Sequence, residues 1–121
     1  MTGQLTIAGH EIHAGERATL ELPIAKMASG TPVALPVMVL RGRRAGPTVC
    51  LTAAVHGDEL NGVEIIRRIV GDLWPASMAG TVITVPIVNV HGFNTGDRYL
   101  PDRRDLNRLF PGSARGSLGS Q

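Results

Sequence analysis

From Arg17 to Pro23 apolar and polar positions alternate, with Ala18, Leu20 and Leu22 on one face and Thr19 and Glu21 on the other. A period of two predicts a half-buried strand. Val33 to Leu40 is apolar and rich in β-branched residues, which predicts a second strand, and Pro36 marks an edge position or a bulge. Thr48 to Val55 is almost continuously apolar, the pattern of a strand buried on both faces. The period then changes. Leu60, Val63, Ile66 and Val70 form one stripe with Ile69 beside it, while Arg67 and Arg68 fall outside, so a helix is expected up to Gly71. Thr81 to Val90 returns to an apolar strand in which Pro86 removes one ladder donor.

The order β-β-β-α-β predicts an α/β fold with a mixed, largely buried sheet and one crossover helix. The two apolar strands that flank the helix should be parallel, with a right-handed connection. Gly, Pro and Ser clusters at 28–32 and 41–47 read as turns. Residues 1–15 form a polar lead-in or edge hairpin, 16–112 the α/β core with a charged loop, and 113–121 a flexible Gly/Ser-rich tail that adds no core. With 121 residues the chain has material for one domain and no more.

Composition narrows the function classes. An apolar fraction of 43% with 18% charged residues excludes general disorder, and 3% aromatics means a core of Val, Ile, Leu and Ala. Twelve basic against ten acidic residues, net +2, is too balanced for a nucleic-acid footprint. No stretch approaches the roughly 18 apolar residues of a membrane span, and the N-terminus lacks the pattern of a signal peptide. A cytoplasmic protein with no nucleic-acid or membrane partner is expected. Cys50, the only cysteine, is expected to be a small buried hydrophobe.

Candidate chemistry gathers where the third strand runs into the helix, at Cys50-Leu-Thr-Ala-Ala-Val-His-Gly-Asp-Glu-Leu-Asn-Gly62. Strand ends that lead into helix starts present the ligand-binding groups of open α/β sheets. His56 and Glu59 stand three residues apart at that junction, an imidazole and a carboxylate that can enter one zinc site. Asp58 is placed to cap the helix, with Glu59 in its first turn. His10 and His13 have a chelating spacing but no third donor nearby. Beyond His91 runs a long charged loop with Arg98, Asp105, Asn107 and Arg108, either a functional loop or part of an unfinished domain.

The segments His56-Gly-Asp-Glu59-Leu-Asn-Gly62 and Arg98-Tyr-Leu-Pro-Asp-Arg-Arg-Asp-Leu-Asn-Arg-Leu-Phe-Pro-Gly112, with the VPIVN strand between them, together resemble the succinylglutamate desuccinylase/aspartoacylase family. These are zinc-dependent deacylases related to the zinc carboxypeptidases. His-x-x-Glu alone arises by chance in many proteins; the two segments together are specific, and the resemblance covers roughly Arg17 to Gly112. It implies a truncated zinc-carboxypeptidase-like domain in which His56 and Glu59 are two ligands of a catalytic Zn2+. It also implies that Asn107 and Arg108 bind the carboxylate of a small substrate, and that Arg98 polarises the scissile carbonyl. Arg103 and Arg104 compete with Arg98 for that last role. Gly57 and Gly62 read as backbone requirements.

The pattern is incomplete. A hydrolytic zinc site needs three protein ligands, and the family's third ligand and general base come from beyond the Phe-Pro-Gly segment. His91 is not the motif ligand, although it lies near enough in sequence to substitute. The expectation is the N-terminal portion of an amide-cleaving deacylase of N-acyl amino acids or related small carboxylates, inactive alone. The alternatives are a metal-binding or self-associating structural fragment, hence a possible homo-oligomer, and a metallocarboxypeptidase acting on peptides.

Overall fold

The computed structural model describes residues 3–121. Met1 and Thr2 of the expected lead-in lie outside the described residues. The lead-in folds as a hairpin of β1 (Leu5–Ile7) and β2 (His10–Ile12). Four strands then form the main sheet: β3 (Arg17–Lys26), β4 (Pro32–Arg41), β5 (Arg44–Thr52) and β6 (Ala79–Val85). Their order is β3-β4-β6-β5, with β3–β4 and β4–β6 antiparallel and β5–β6 parallel. The connection from β5 to β6 runs through α1 (Asn61–Asp72), so the mixed sheet and the parallel pair match the sequence expectation.

Alternation along β4 builds two cores, one on each face of the sheet. Val37 and Val39 pack with Leu20 and with Ile12 of the lead-in hairpin. Leu40, one position out of phase, packs with Ala53 and with Ile66 and Val70 of α1. The sheet is therefore covered by the hairpin on one side and by the helix on the other. Arg17 ties the helix down by donating to the carbonyls of Val70 (2.9 Å) and Leu73 (2.8 Å), at the end of α1 where a cation is favoured. Pro36 pairs with Glu21 in the half of β4 that β6 does not reach, and the irregularity in register lies between Pro23 and Ala25, opposite Ala34 and Val33.

Several expectations change. The strand expected over Thr48 to Val55 starts earlier, ends at Thr52 and lies at the sheet edge, so that Val49 and Cys50 are exposed rather than buried. Continuous apolarity encodes the pairing a strand is built for, and among the described residues only β6 pairs with β5. The last strand stops at Val85, before Pro86, rather than reaching Val90, which instead opens helix α2 (Val90–Thr95) in what was expected to be loop. Proline cannot supply the next ladder donor, and Asn89 caps the new helix by accepting from Gly92 N at 2.8 Å. Asp58 does not cap α1, whose N-cap is Leu60 with no side-chain bond. Residues 113–121 fold back through a 3₁₀ turn at Leu118–Ser120; Ser113 N donates to Ser120 O at 2.6 Å, and Gly119 lies against the side-chain ends of Leu100 and Leu109.

Candidate functional site

The end of β5 is brought to the site by local backbone geometry. Ala54 adopts a left-handed φ of 50°, which turns the chain out of the strand direction. The carbonyls of Ala53 and Ala54 accept from Val88 N (3.0 Å) and Asn89 N (2.9 Å), so the segment leaving β5 lies against the segment leaving β6. A Cβ at Gly57 would run into the backbone of Gly92, Phe93 and Asp97, so only glycine lets this turn lie on α2. A Cβ at Gly62 would stand 2.8 Å from the Ala53 methyl, which lets the first turn of α1 press against the strand end. Both glycines are backbone requirements, as the sequence indicated.

His56 is buried between two carboxylates. Its Nδ1 lies 3.0 Å from Glu59 Oε1 and its Nε2 lies 2.9 Å from Asp105 Oδ1. An imidazolium donates to both. The hydrogen bond to Asp105, helped by Glu59, holds the pKa of His56 above its ordinary value, against burial and the nearby Arg98. Asp105 is held correspondingly below the usual carboxylate range, first by His56 and then by the Asn107 N–H that its Oδ1 also accepts at 3.0 Å. Glu59 is the more open partner, and the same Oε1 accepts from Arg98 Nη1 at 3.2 Å.

Sequence separates these four groups by up to 49 positions, and the fold unites them. Glu59 is free to face His56 because α1 begins only after Leu60. Arg98 arrives through Asn89, fully buried, whose Nδ2 donates to the Arg98 carbonyl at 3.4 Å while its Oδ1 caps α2. Of the three competing arginines, Arg98 alone reaches Glu59; Arg104 lies 3.6 Å from Asp102 and Arg103 is exposed. Asn107 and Arg108 occupy the 3₁₀ turn Leu106–Arg108 beside Asp105, with exposed side chains.

Asp105 and Asn89 were not among the sequence-derived site residues. Asp105 carried a signal, as an Asp before Leu-Asn-Arg, and its side chain bonds His56. Asn89 carried the signal of a cap residue after a strand-ending proline. His91 takes no part in the cluster: its Nε2 is buried without a partner beside an apolar cavity of about 290 Å³ that also borders Leu22, Leu106, Leu109 and Leu118. No carboxylate or guanidinium side chain lines that cavity, whereas Asp58 and Glu59 border a separate, open cleft. His10 and His13 stay exposed on the lead-in.

The arrangement can hold a proton at either ring nitrogen and offers two donor atoms that converge. His56 Nδ1 and Glu59 Oε1 at 3.0 Å are within a few tenths of an ångström of the roughly 3.4 Å between N and O ligands of a tetrahedral zinc. Asp105 lies on the opposite ring nitrogen and cannot join them, and among the described residues no group of three or more His, Cys, Asp or Glu is placed to hold a metal. The donor set therefore fits at most a two-ligand half of a metal site, with Asp105 on the ring nitrogen where a carboxylate would orient a ligating imidazole.

Comparison with known proteins places these features in company. Residues 45–121 match the family model of the succinylglutamate desuccinylase/aspartoacylase catalytic domain. The chain is 39% identical over 101 residues to the N-alpha-acetyl-L-2,4-diaminobutyric acid deacetylase of Halomonas elongata, covering 82% of this chain and 29% of that protein. The fold superposes on a succinylglutamate desuccinylase/aspartoacylase structure from Rhodobacter sphaeroides with a TM-score of 0.76 and 36% identity, over 90% of this chain and 35% of that one. It also superposes on the product-bound ectoine utilization protein EutE (DoeB) of Ruegeria pomeroyi, with a TM-score of 0.73 and 33% identity, over 87% and 32% of the two chains. The chain thus spans about a third of the length of these relatives.

Proposed function

We propose, from the premise that this chain belongs to the succinylglutamate desuccinylase/aspartoacylase family, that it is the N-terminal portion of a zinc-dependent hydrolase. The reaction is amide cleavage in an N-acyl amino acid or a related small carboxylate. The observation that carries this reading is the convergence of His56 Nδ1 and Glu59 Oε1 at 3.0 Å, with Asp105 taking the other ring nitrogen. His56 and Glu59 would hold the zinc. A bound zinc polarises a carbonyl and brings the pKa of its water toward about 7.

The remaining residues act on the substrate. Asn107 and Arg108, exposed beside Asp105, would bind its carboxylate, since a guanidinium fork grips a carboxylate bidentately and an amide adds orientation. Arg98 would face the scissile carbonyl and stabilise the charge that develops on its oxygen. Asp105 would keep Nε2 protonated and so leave the Nδ1 lone pair to the zinc. The described residues supply two ligands and no evident general base, so hydrolysis by these 121 residues alone is not expected.

Metal analysis after dialysis against zinc, on this chain and on His56→Ala, tests the reading. Specific binding near one zinc per chain that is lost in the variant is the expected result. Equal zinc retention by both proteins would remove His56 from the metal site and the reading with it.

A further inference from the structure

Glu59 Oε1 is claimed twice. It lies 3.0 Å from His56 Nδ1 and accepts from Arg98 Nη1 at 3.2 Å. Arg98 thus already holds the oxygen through which Glu59 faces His56. We infer that Arg98 competes with the metal for Glu59, so that metal loading releases the Arg98 guanidinium toward the substrate. The inference rests on the proposal that His56 and Glu59 are metal ligands.

Three points carry it. A cation held through Glu59 Oε1 would have to share that oxygen with Arg98 Nη1, which already lies on it at 3.2 Å. A dication beside Glu59 would also repel a guanidinium bound to the same oxygen. Finally, Arg98 is built to swing. Its backbone is anchored by Asn89, but its side chain is 44% exposed. Its guanidinium carbon lies 5.8 Å from the Tyr99 ring centroid, a second cation-accepting surface. The ion pair thus keeps Arg98 at the site before loading and makes its availability conditional on the metal. By linkage, a ligand that draws Arg98 away from Glu59 must strengthen metal binding by the same factor.

Calorimetric titration of zinc into this chain tests the competition, with Arg98→Ala, Arg103→Gln, His56→Ala and Glu59→Gln measured at one pH and ionic strength. Losing an exposed competing ion pair should tighten zinc binding about two- to fivefold in Arg98→Ala. Arg103→Gln removes the same charge from the same loop and should leave the affinity unchanged. If Arg98→Ala binds zinc no better than the parent, or if Arg103→Gln tightens binding equally, the competition is overturned. His56→Ala and Glu59→Gln keep the two ideas separate. Loss of binding in both, without tightening in Arg98→Ala, overturns this inference and leaves the metal reading standing. Parent-like binding in both overturns the two together. Arg98→Gln gives the same reading should Arg98→Ala lose its circular-dichroism signature.

Discussion

A histidine held between two carboxylates gives up its second proton at higher pH, and at His56 the larger share of that effect comes from Asp105. In zinc-free protein followed by NMR, His56 should titrate above its ordinary 6.5, and Asp105→Asn should bring the midpoint down. Raised in the fold, His56 contributes stability that is complete below pH 6.5 and is lost as pH rises through its raised pKa. Asp105, lowered in the fold, contributes stability above its ordinary 3.8 that is lost as pH falls through its lowered pKa. Stability measured by denaturant should therefore be greatest between those limits, and the Asn variant should show a flatter profile. Zinc competes with the Nδ1 proton, so binding should strengthen as pH rises through the His56 midpoint. Asp105→Asn should also weaken zinc binding by about 10- to 100-fold, the cost of losing a carboxylate that orients a ligating imidazole.

At the scale of the element, α1 separates packing from surface within one turn. Ile66 is 5% exposed and packs with Leu40, Ala53 and Val70, whereas its neighbour Ile65 is 56% exposed. Ile66→Ala should cost about 2–5 kcal/mol in chemical denaturation through lost burial and a residual cavity. Ile65→Ala should stay within about 0.5 kcal/mol. Similar costs for the two would mean that α1 packs with a different face. The opposite side of the helix is tied together by Glu64, whose carboxyl Arg67 and Arg68 hold down at about 2. Those pairs are fully solvated and shape the helix surface rather than anchor it.

For the whole molecule, the sheet is covered on both faces but open along β5, where Val49 is 45% exposed and Cys50 is also exposed. An unpaired strand carrying apolar side chains recruits another strand. The isolated 121-residue chain should therefore associate with rising concentration in sedimentation velocity, and Val49→Lys should reduce that association. A parent chain that stays monomeric across the accessible range would show that this edge does not drive association. No helix among the described residues is long and apolar enough to cross a membrane.

The sequence by itself determined the order of the main-sheet strands and α1, the parallel pair around that helix, the backbone requirement at two glycines and the family. Periodicity and short motifs are local properties, and His56 and Glu59 stand close enough to be read together. Only the tertiary structure decided that β5 is an edge, that the chain turns into α2 after Pro86, and that 113–121 folds back. It also decided that Asp105, 49 positions away, takes the second nitrogen of His56, and that Arg98 rather than Arg103 or Arg104 takes Glu59. The physical reason is the same in each case. A run of apolar residues states that burial is wanted but not which partner supplies it. A charged loop states that ion pairs will form but not which ones, until strand ends and glycine-permitted approaches fix the distances.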